Sequence, residues 1–359
     1  MSGYLSRVLT AFAVAGALFA GNAQAQEFAG KTLKVATFGG SWQEWVKANV
    51  EPKFKAATGA NVEYISGFPM KHLTSLISFK GQAAPFDVVE LSDDVTYEAL
   101  KQDLLQTGLD MALIPNAQYL PEPWRNMDNA GPAYFVVLQG VIYDADKFKA
   151  ANIDAPKSWD DLANPALAGH VALPDVSFTY RPIYAAIDAE KTGDQANFKG
   201  SLDWVSSIKN PVIYGDAPTL QTRFGGGEIW AVVGAAGYLQ RLSAKSPNLR
   251  FVMFPGPGKT QGIGALGQVR IVKNSPNAKL AHYWINTFLD TEVQVSLAQK
   301  IGFAPANINA AKTAAQDPKL APLVMSDASG LEKLFQADWS KLNPVLPDWI
   351  DRWNRAVRR

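Results

Sequence analysis

Two adjacent carboxylates, Asp93 and Asp94, directly follow the apolar run Phe86-Asp87-Val88-Val89-Glu90-Leu91, and two arginines, Arg181 and Arg270, each follow a loop of small and aromatic residues. A carboxylate pair can hold an ammonium or guanidinium group, and an arginine can clamp a carboxylate or phosphonate through a planar two-bond fork. Each has a plainer alternative. One aspartate can cap the helix that follows while the other binds, and either arginine can sit in a structural salt bridge. Phe38, Trp42, Tyr180 and Tyr238 fall in loops after extended runs, where an aromatic face can stack on a flat or aliphatic solute, although Trp42 can equally be the first core residue of its helix. Gly40 and Ser41, in the turn Gly39-Gly40-Ser41, offer helix amides to an anion, one of which the Ser41 hydroxyl would itself satisfy. Asp175 completes the set, opening the loop Asp175-Val176-Ser177-Phe178-Thr179-Tyr180 that leads to Arg181. Both signs of charge with aromatic walls suit the binding of a small charged solute.

The signatures of bond-making chemistry each break on inspection. Gly262-Ile263-Gly264-Ala265-Leu266-Gly267 satisfies the spacing of a dinucleotide loop, but Gln268-Val269-Arg270-Ile271-Val272 is β-like where a helix must begin; the glycines read as a loop. Gly258-Lys259-Thr260 resembles the end of a phosphate loop, yet Met253 stands where the first glycine must be. His72, His170 and His282 lack the spacing that places two imidazoles on one helix face, and there is no cysteine, so neither a metal site nor a thiol nucleophile is expected. No Gly-x-Ser-x-Gly elbow occurs. The expectation is no catalytic residue, no metal and no cofactor.

Strands alternating with amphipathic helices must position these residues. Thr32–Thr37 is a strand, Gly39-Gly40 breaks it, and Trp42, Trp45, Val46, Asn49, Val50 and Phe54 recur at helical spacing, with Ser41 and Glu44 forming a capping box. Strands are expected over 61–65, 86–91, 134–143, 170–174, 228–233 and 262–272, and helices over 69–79, from Ser92-Asp93-Asp94 through Leu105, from Tyr238, and over 276–300. Such alternation implies an α/β fold with a mostly parallel sheet and ligands at the carboxyl ends of strands. The extended runs near 134–143 and 262–272 are candidates for crossings between two lobes. Trp45, Trp204, Trp230 and Trp284 are expected in cores.

The compartment is read from the first residues. Arg7 precedes an apolar run from Val8 to Ala20, and Ala23-Gln24-Ala25 follows: a secretory signal peptide, residues 1–25, with cleavage expected after Ala25. The run is too short to anchor the chain in a bilayer, and no later run of that kind exists. Those residues carry only Arg7, so the balance of 34 basic to 33 acidic residues becomes 33 to 33 in the mature chain, which does not favour nucleic acid as a partner. A chain of 359 residues exceeds what one core usually serves, so two lobes are expected.

The order of these segments resembles the periplasmic solute-binding proteins of ABC importers, the spermidine/putrescine-type class most of all. The resemblance rests on Phe38-Gly39-Gly40-Ser41-Trp42 after the first strand, Phe86-Asp87-Val88-Val89 before Ser92-Asp93-Asp94, and Ser158-Trp159-Asp160-Asp161-Leu162 followed by Ala168-Gly169-His170-Val171. Gly227-Glu228-Ile229-Trp230 and Ile301-Gly302-Phe303-Ala304-Pro305-Ala306-Asn307 extend it over essentially the whole mature chain. It implies a two-lobed type II periplasmic binding protein fold, with the ligand cleft between lobes joined by two crossing strands. By resemblance, lobe one comprises 27–139 plus 266–308 and lobe two 140–265 plus 309–359.

The resemblance also implies a periplasmic monomer that captures a small-molecule ligand and delivers it to the ABC transporter permease subunits of the inner membrane. Polyamine-binding relatives have an aromatic-x-Asp arrangement where this chain has Ala265-Leu266-Gly267, and a Trp where it has Val233-Gly234-Ala235-Ala236. Iron-binding relatives use a Tyr-Tyr pair, which is missing here. The charges suit a zwitterionic or anionic amine-bearing solute, opine-like or polyamine-like, better than a free polyamine. An exported enzyme, or a binding protein that feeds a chemoreceptor, is the alternative.

Overall fold

The computed structural model describes residues 27–243 and 246–357, so the expected signal peptide lies outside the described residues. One mixed sheet runs through the molecule. Its main strands are β1 (Thr32–Thr37), β2 (Asn61–Ser66), β3 (Val88–Ser92), β4 (Ala133–Asp144), β5 (Val171–Pro174), β6 (Val212–Tyr214), β7 (Ala231–Ala235), β8 (Leu249–Val252) and β9 (Gly262–Ile271). The spatial order is β2-β1-β3-β9-β4-β7-β5-β6. On one side β2, β1 and β3 are parallel, and on the other β7, β5 and β6 are parallel. Between these groups stand β9 and β4, antiparallel to each other and to their outer neighbours.

The two central strands change partners along their length. Residues 135–139 of β4 pair with 267–263 of β9, whereas 139–143 pair with β7. Likewise β9 passes from β4 to β3 at Gly267, which stands opposite both Phe135 and Ser92. Two continuous strands therefore link one parallel group to the other. The Gly-x-Gly-x-x-Gly run, read both as a loop and as the start of the extended run 262–272, is the first part of β9, and its glycines serve packing. A Cβ on Gly267 would stand 2.3 Å from the Phe135 ring, and one on Gly264 would stand 2.8 Å from Leu334.

Other boundaries differ from expectation for local reasons. The helix after β1 begins at Gly40, and the proposed capping box does not form: no side chain caps this helix, and Glu44 faces Lys47 at 3.4 Å. It is followed by a second helix, Glu51–Thr58, whose Phe54 is buried. The long helix expected over 276–300 is two, Ala278–Phe288 and Thr291–Lys300, because Asp290 accepts from the amides of Glu292 and Val293 and starts a new helix. The last helix, Leu346–Val357, buries Trp349 and Trp353 against the second parallel group; their indoles donate to the Ala196 carbonyl at 3.0 Å and to Asp175 Oδ2 at 3.2 Å. Trp45, Trp204 and Trp284 are buried as expected. Trp230 is half-buried and stacks on His170, with ring centres 3.9 Å apart.

Candidate functional site

The carboxyl ends of the two parallel groups face one another across a cavity of about 610 Å³. Its floor is the central pair, with Phe135 and Val137 on β4 and Ala265 to Gly267 on β9. One wall comes from loops after β1, β2 and β3, the other from loops after β5, β6 and β7. This is the crevice that strand order predicts for an open α/β sheet. A smaller hollow of about 240 Å³ lies between Leu76, Phe79 and Val272, with Asp103 and Lys273 paired at its rim. It gathers none of the expected site residues.

On the first wall stand Phe38, Ser41, Trp42, Asp93 and Asp94. Trp42 is a core residue of its helix that also borders the cavity. Its ring is buried among Trp45, Tyr134, Phe135 and Phe303 while still bordering the cavity. Neither aspartate is the cap of the helix Asp93–Lys101; Ser92 holds that position without a side-chain cap bond. Asp94 instead accepts from the Ser92 hydroxyl at 2.5 Å. Asp93 lies at the meeting of wall and floor, its Oδ2 3.5 Å from the Leu266 amide. Desolvation first, and then the neighbouring Asp94 charge, push its carboxyl up to about 7, against the Trp339 indole and the Leu266 and Asp94 amides, which pull it down.

On the second wall stand Tyr180, Arg181 and Tyr238. Arg181 opens the helix Arg181–Thr192 after β5. Its Nη1 lies 3.3 Å from Asp94 Oδ2, an ion pair that spans the cavity with both side chains largely withdrawn from solvent. Its Nε donates to the Phe178 carbonyl at 3.4 Å. The rings of Tyr180 and Tyr238 stand edge to face with centres 6.0 Å apart.

Three expected residues lie elsewhere. Arg270 is fully buried within β9, opposite Val89 and three rungs inside the rung where Ser92 meets Gly267. Its guanidinium donates to the carbonyls of Pro132 at 2.8 Å and Val269 at 3.2 Å and to Gln268 Oε1 at 2.5 Å. Burial lowers its pKa to about 10, opposed by Asp128 and Tyr134. An arginine held there is a structural residue and does not reach the cavity, because the glycines before it extend the strand instead of ending it. Asp175 shapes its own loop, accepting from the Ser177 amide at 2.9 Å and hydroxyl at 2.6 Å as well as from Trp353. Gly40, with φ at +55°, forms the turn but does not line the cavity.

Several lining residues escaped the sequence reading. Phe68 and Met70, after β2, are 76% and 60% exposed and form an apolar lip. Arg241, exposed on the other side, lies over the Tyr238 ring at 5.8 Å. Phe303 and Trp339 complete the apolar lining. The Phe-Pro-Met triplet at the end of β2 was a usable signal, whereas Phe303 and Trp339 reach the cleft from distant segments. The arrangement can hold a solute by aromatic contact and by charge of either sign. Among the described residues no group of three or more His, Asp or Glu side chains is placed to hold a metal.

Residues 51–322 match the family model for bacterial extracellular solute-binding proteins. No curated protein matches the chain. Similar solved structures include an ABC transporter from Clostridium perfringens ATCC 13124, at 25% identity over 90% of this chain and 99% of that one, with a TM-score of 0.74. The periplasmic binding protein AgtB from A. tumefaciens R10, solved with agropinic acid, is 20% identical over 92% and 99%, with a TM-score of 0.67. The spermidine/putrescine ABC transporter substrate-binding protein PotD from Streptococcus pneumoniae, solved with calcium and HEPES, is 16% identical over 91% and 99%, with a TM-score of 0.70. The neighbours share a two-lobed α/β fold with this chain.

Proposed function

The chain belongs to the bacterial extracellular solute-binding protein family, and on that premise we propose that it is a periplasmic, monomeric component of an ABC importer that captures an amine-bearing zwitterion or anion and hands it to permease subunits. The observation that carries the ligand class is the Asp94–Arg181 pair, 3.3 Å apart across an aromatic-lined cleft. Each partner can exchange the other for a ligand group of the same sign. An ammonium can replace the guanidinium at Asp94, with Asp93 beside it, and a carboxylate can replace Asp94 at Arg181. A free polyamine answers only half of this arrangement and leaves Arg181 facing its own sign of charge.

The mechanism is hinge closure. The change of partners by β4 at Gln139 and by β9 at Gly267 supports lobes of 27–139 plus 266–308 and 140–265 plus 309–359. A solute that touches both walls stabilises the closed form by differential contact, and no bond is made or broken. The apolar run after Arg7 supports export with cleavage after Ala25, and no helix among the described residues is long and apolar enough to cross a membrane. A thermal-shift screen of the mature protein against amino acid conjugates, 4-aminobutyrate, putrescine, spermidine, phosphonates and thiamine tests the reading. One zwitterionic or anionic amine should raise the melting temperature, by about 2.7 kcal/mol of added stability at a hundredfold excess over Kd. Chemical change in the bound solute would refute it.

A further inference from the structure

Behind the aromatic corner of the cleft sits a carboxylate without a cation beside it. Glu90 stands in the middle of β3, fully buried, between the apolar residues Val89 and Leu91. Its Oε2 accepts both the Trp42 indole N–H at 2.6 Å and the Thr37 hydroxyl at 2.7 Å. The Phe38 amide also favours the ionised carboxyl. All three groups belong to the segment Thr37–Trp42, and Phe38 and Trp42 border the cavity. That segment turns through Gly39 and Gly40, both at positive φ, and the helix it enters has no side-chain cap. The Trp42 ring also packs against Phe38, Trp45, Tyr134, Phe135, Phe288 and Phe303, and its one side-chain hydrogen bond is the one to Glu90.

The second oxygen of Glu90, Oε1, is buried without a partner, and so is the Tyr134 hydroxyl on β4. The groups that face Glu90 are Tyr134 and, on β2, Tyr64, which both sense its charge. Arg270 on β9 acts on Tyr134 rather than pairing with the carboxylate, and His72 Nε2 donates to the Thr37 carbonyl, 3.1 Å away. No ion pair relieves Glu90 among the described residues.

We propose that Glu90 is a positioning residue of the cleft: ionised, it holds the Phe38–Trp42 corner in place, and on taking up a proton it loosens its hold on Trp42. Hydrogen bonds to an ionised acceptor are about twice as strong as neutral ones. A proton on Oε2 displaces a donor, and one on Oε1 makes Oε2 a weaker acceptor. Burial favours the neutral form and pushes the carboxyl up to about 7, with Thr37, Trp42 and Phe38 resisting, so the exchange falls near neutrality. This inference goes beyond the transport reading and needs no solute for its test.

The experiment follows the tryptophan indole N–H signals of the whole mature protein by ¹H–¹⁵N NMR from about pH 5.5 to 8.5, spanning the expected midpoint, with the Trp42 signal identified by its loss in Trp42→Phe. The Trp42 proton should move upfield on acidification with one midpoint near neutrality. Glu90→Gln should abolish that titration, and Asp93→Asn should keep it. Thr37→Val removes a donor that favours the ionised form and should raise the midpoint, which keeps the idea testable if Glu90→Gln fails to fold. A flat Trp42 signal in the wild-type protein, or an unchanged titration in Glu90→Gln, overturns the proposal.

Discussion

Asp94 and Arg181 stand in the first turns of helices that follow strands of the two different parallel groups, and they meet 3.3 Å apart across the cleft. An ion pair in that place is a contact between walls and, on the proposed reading, a pair of ligand sites. Its two members therefore report separately on the two ends of a solute.

Replacing Arg181 by Lys keeps the charge and loses the planar fork. For a solute with a carboxylate, affinity should fall about tenfold, roughly 1.4 kcal/mol, by calorimetry. Asp94→Asn should weaken the same solute by a similar factor if its ammonium is held there. Unchanged affinity in both variants would place the charged groups of the solute elsewhere.

Arg270 should behave in the opposite way. Because its guanidinium is buried and bonded to Pro132, Val269 and Gln268, Arg270→Met removes a desolvated charge and its three bonds together, whereas Arg270→Lys leaves a charge with fewer partners. The lysine variant should lose about 3 kcal/mol or more in urea denaturation, while the affinity of whatever folds stays close to wild type. A large loss of affinity without loss of stability would return Arg270 to the site.

Two carboxyls, the buried Glu90 and the half-buried Asp93, set an unusual pH dependence. Glu90 and Asp93 are both raised to about 7, from ordinary values of 4.5 and 3.8. As pH rises through that interval the unfolded chain releases these protons before the folded one does, so stability falls with rising pH. The contribution is fully present below the unfolded values and lost once pH passes about 7. For Glu90 the full span is on the order of 3 kcal/mol. Urea melts at a series of pH values should show Glu90→Gln gaining on wild type as pH rises; parallel curves would contradict the assignment.

Gly267 tests the crossing. A methyl group there would lie 2.3 Å from the Phe135 ring, and neither strand can retreat without breaking its pairing. Gly267→Ala should cost about 1–3 kcal/mol and tilt Phe135 away from the cleft, which a thermal melt and a solute titration would both register. A neutral substitution would mean that the crossing strands are less tightly packed than the structure has them.

Much of this architecture was legible because strand and helix periods are local properties. The strands around Val35, Val89 and Ile142 and the helix from Tyr238 fall where their patterns put them. Asp290 was missed because its neighbours on both sides keep a helical pattern, and only its side-chain bonds to two amides separate the helices. Arg270 was misplaced for a related reason: three glycines in six residues imitate a loop, whereas here they make room for Phe135 and Leu334. Glu90 left a trace that could have been read, a lone carboxylate inside an apolar strand. What it binds is 48 and 53 residues away in sequence, and no pattern gives that. The Asp94–Arg181 pair is likewise a product of topology, since only the reversal of strand order brings β3 and β5 loops together.

Calorimetric titration of the mature protein and its Arg181→Lys and Asp94→Asn variants against the same solutes, 4-aminobutyrate, an opine, putrescine and spermidine, bears most directly on the central claim. The account predicts one-to-one binding of a zwitterion or amine-bearing anion that both variants weaken, with the free diamines and triamines bound weakly or not at all. Tight binding of putrescine or spermidine that is insensitive to Arg181→Lys would contradict it.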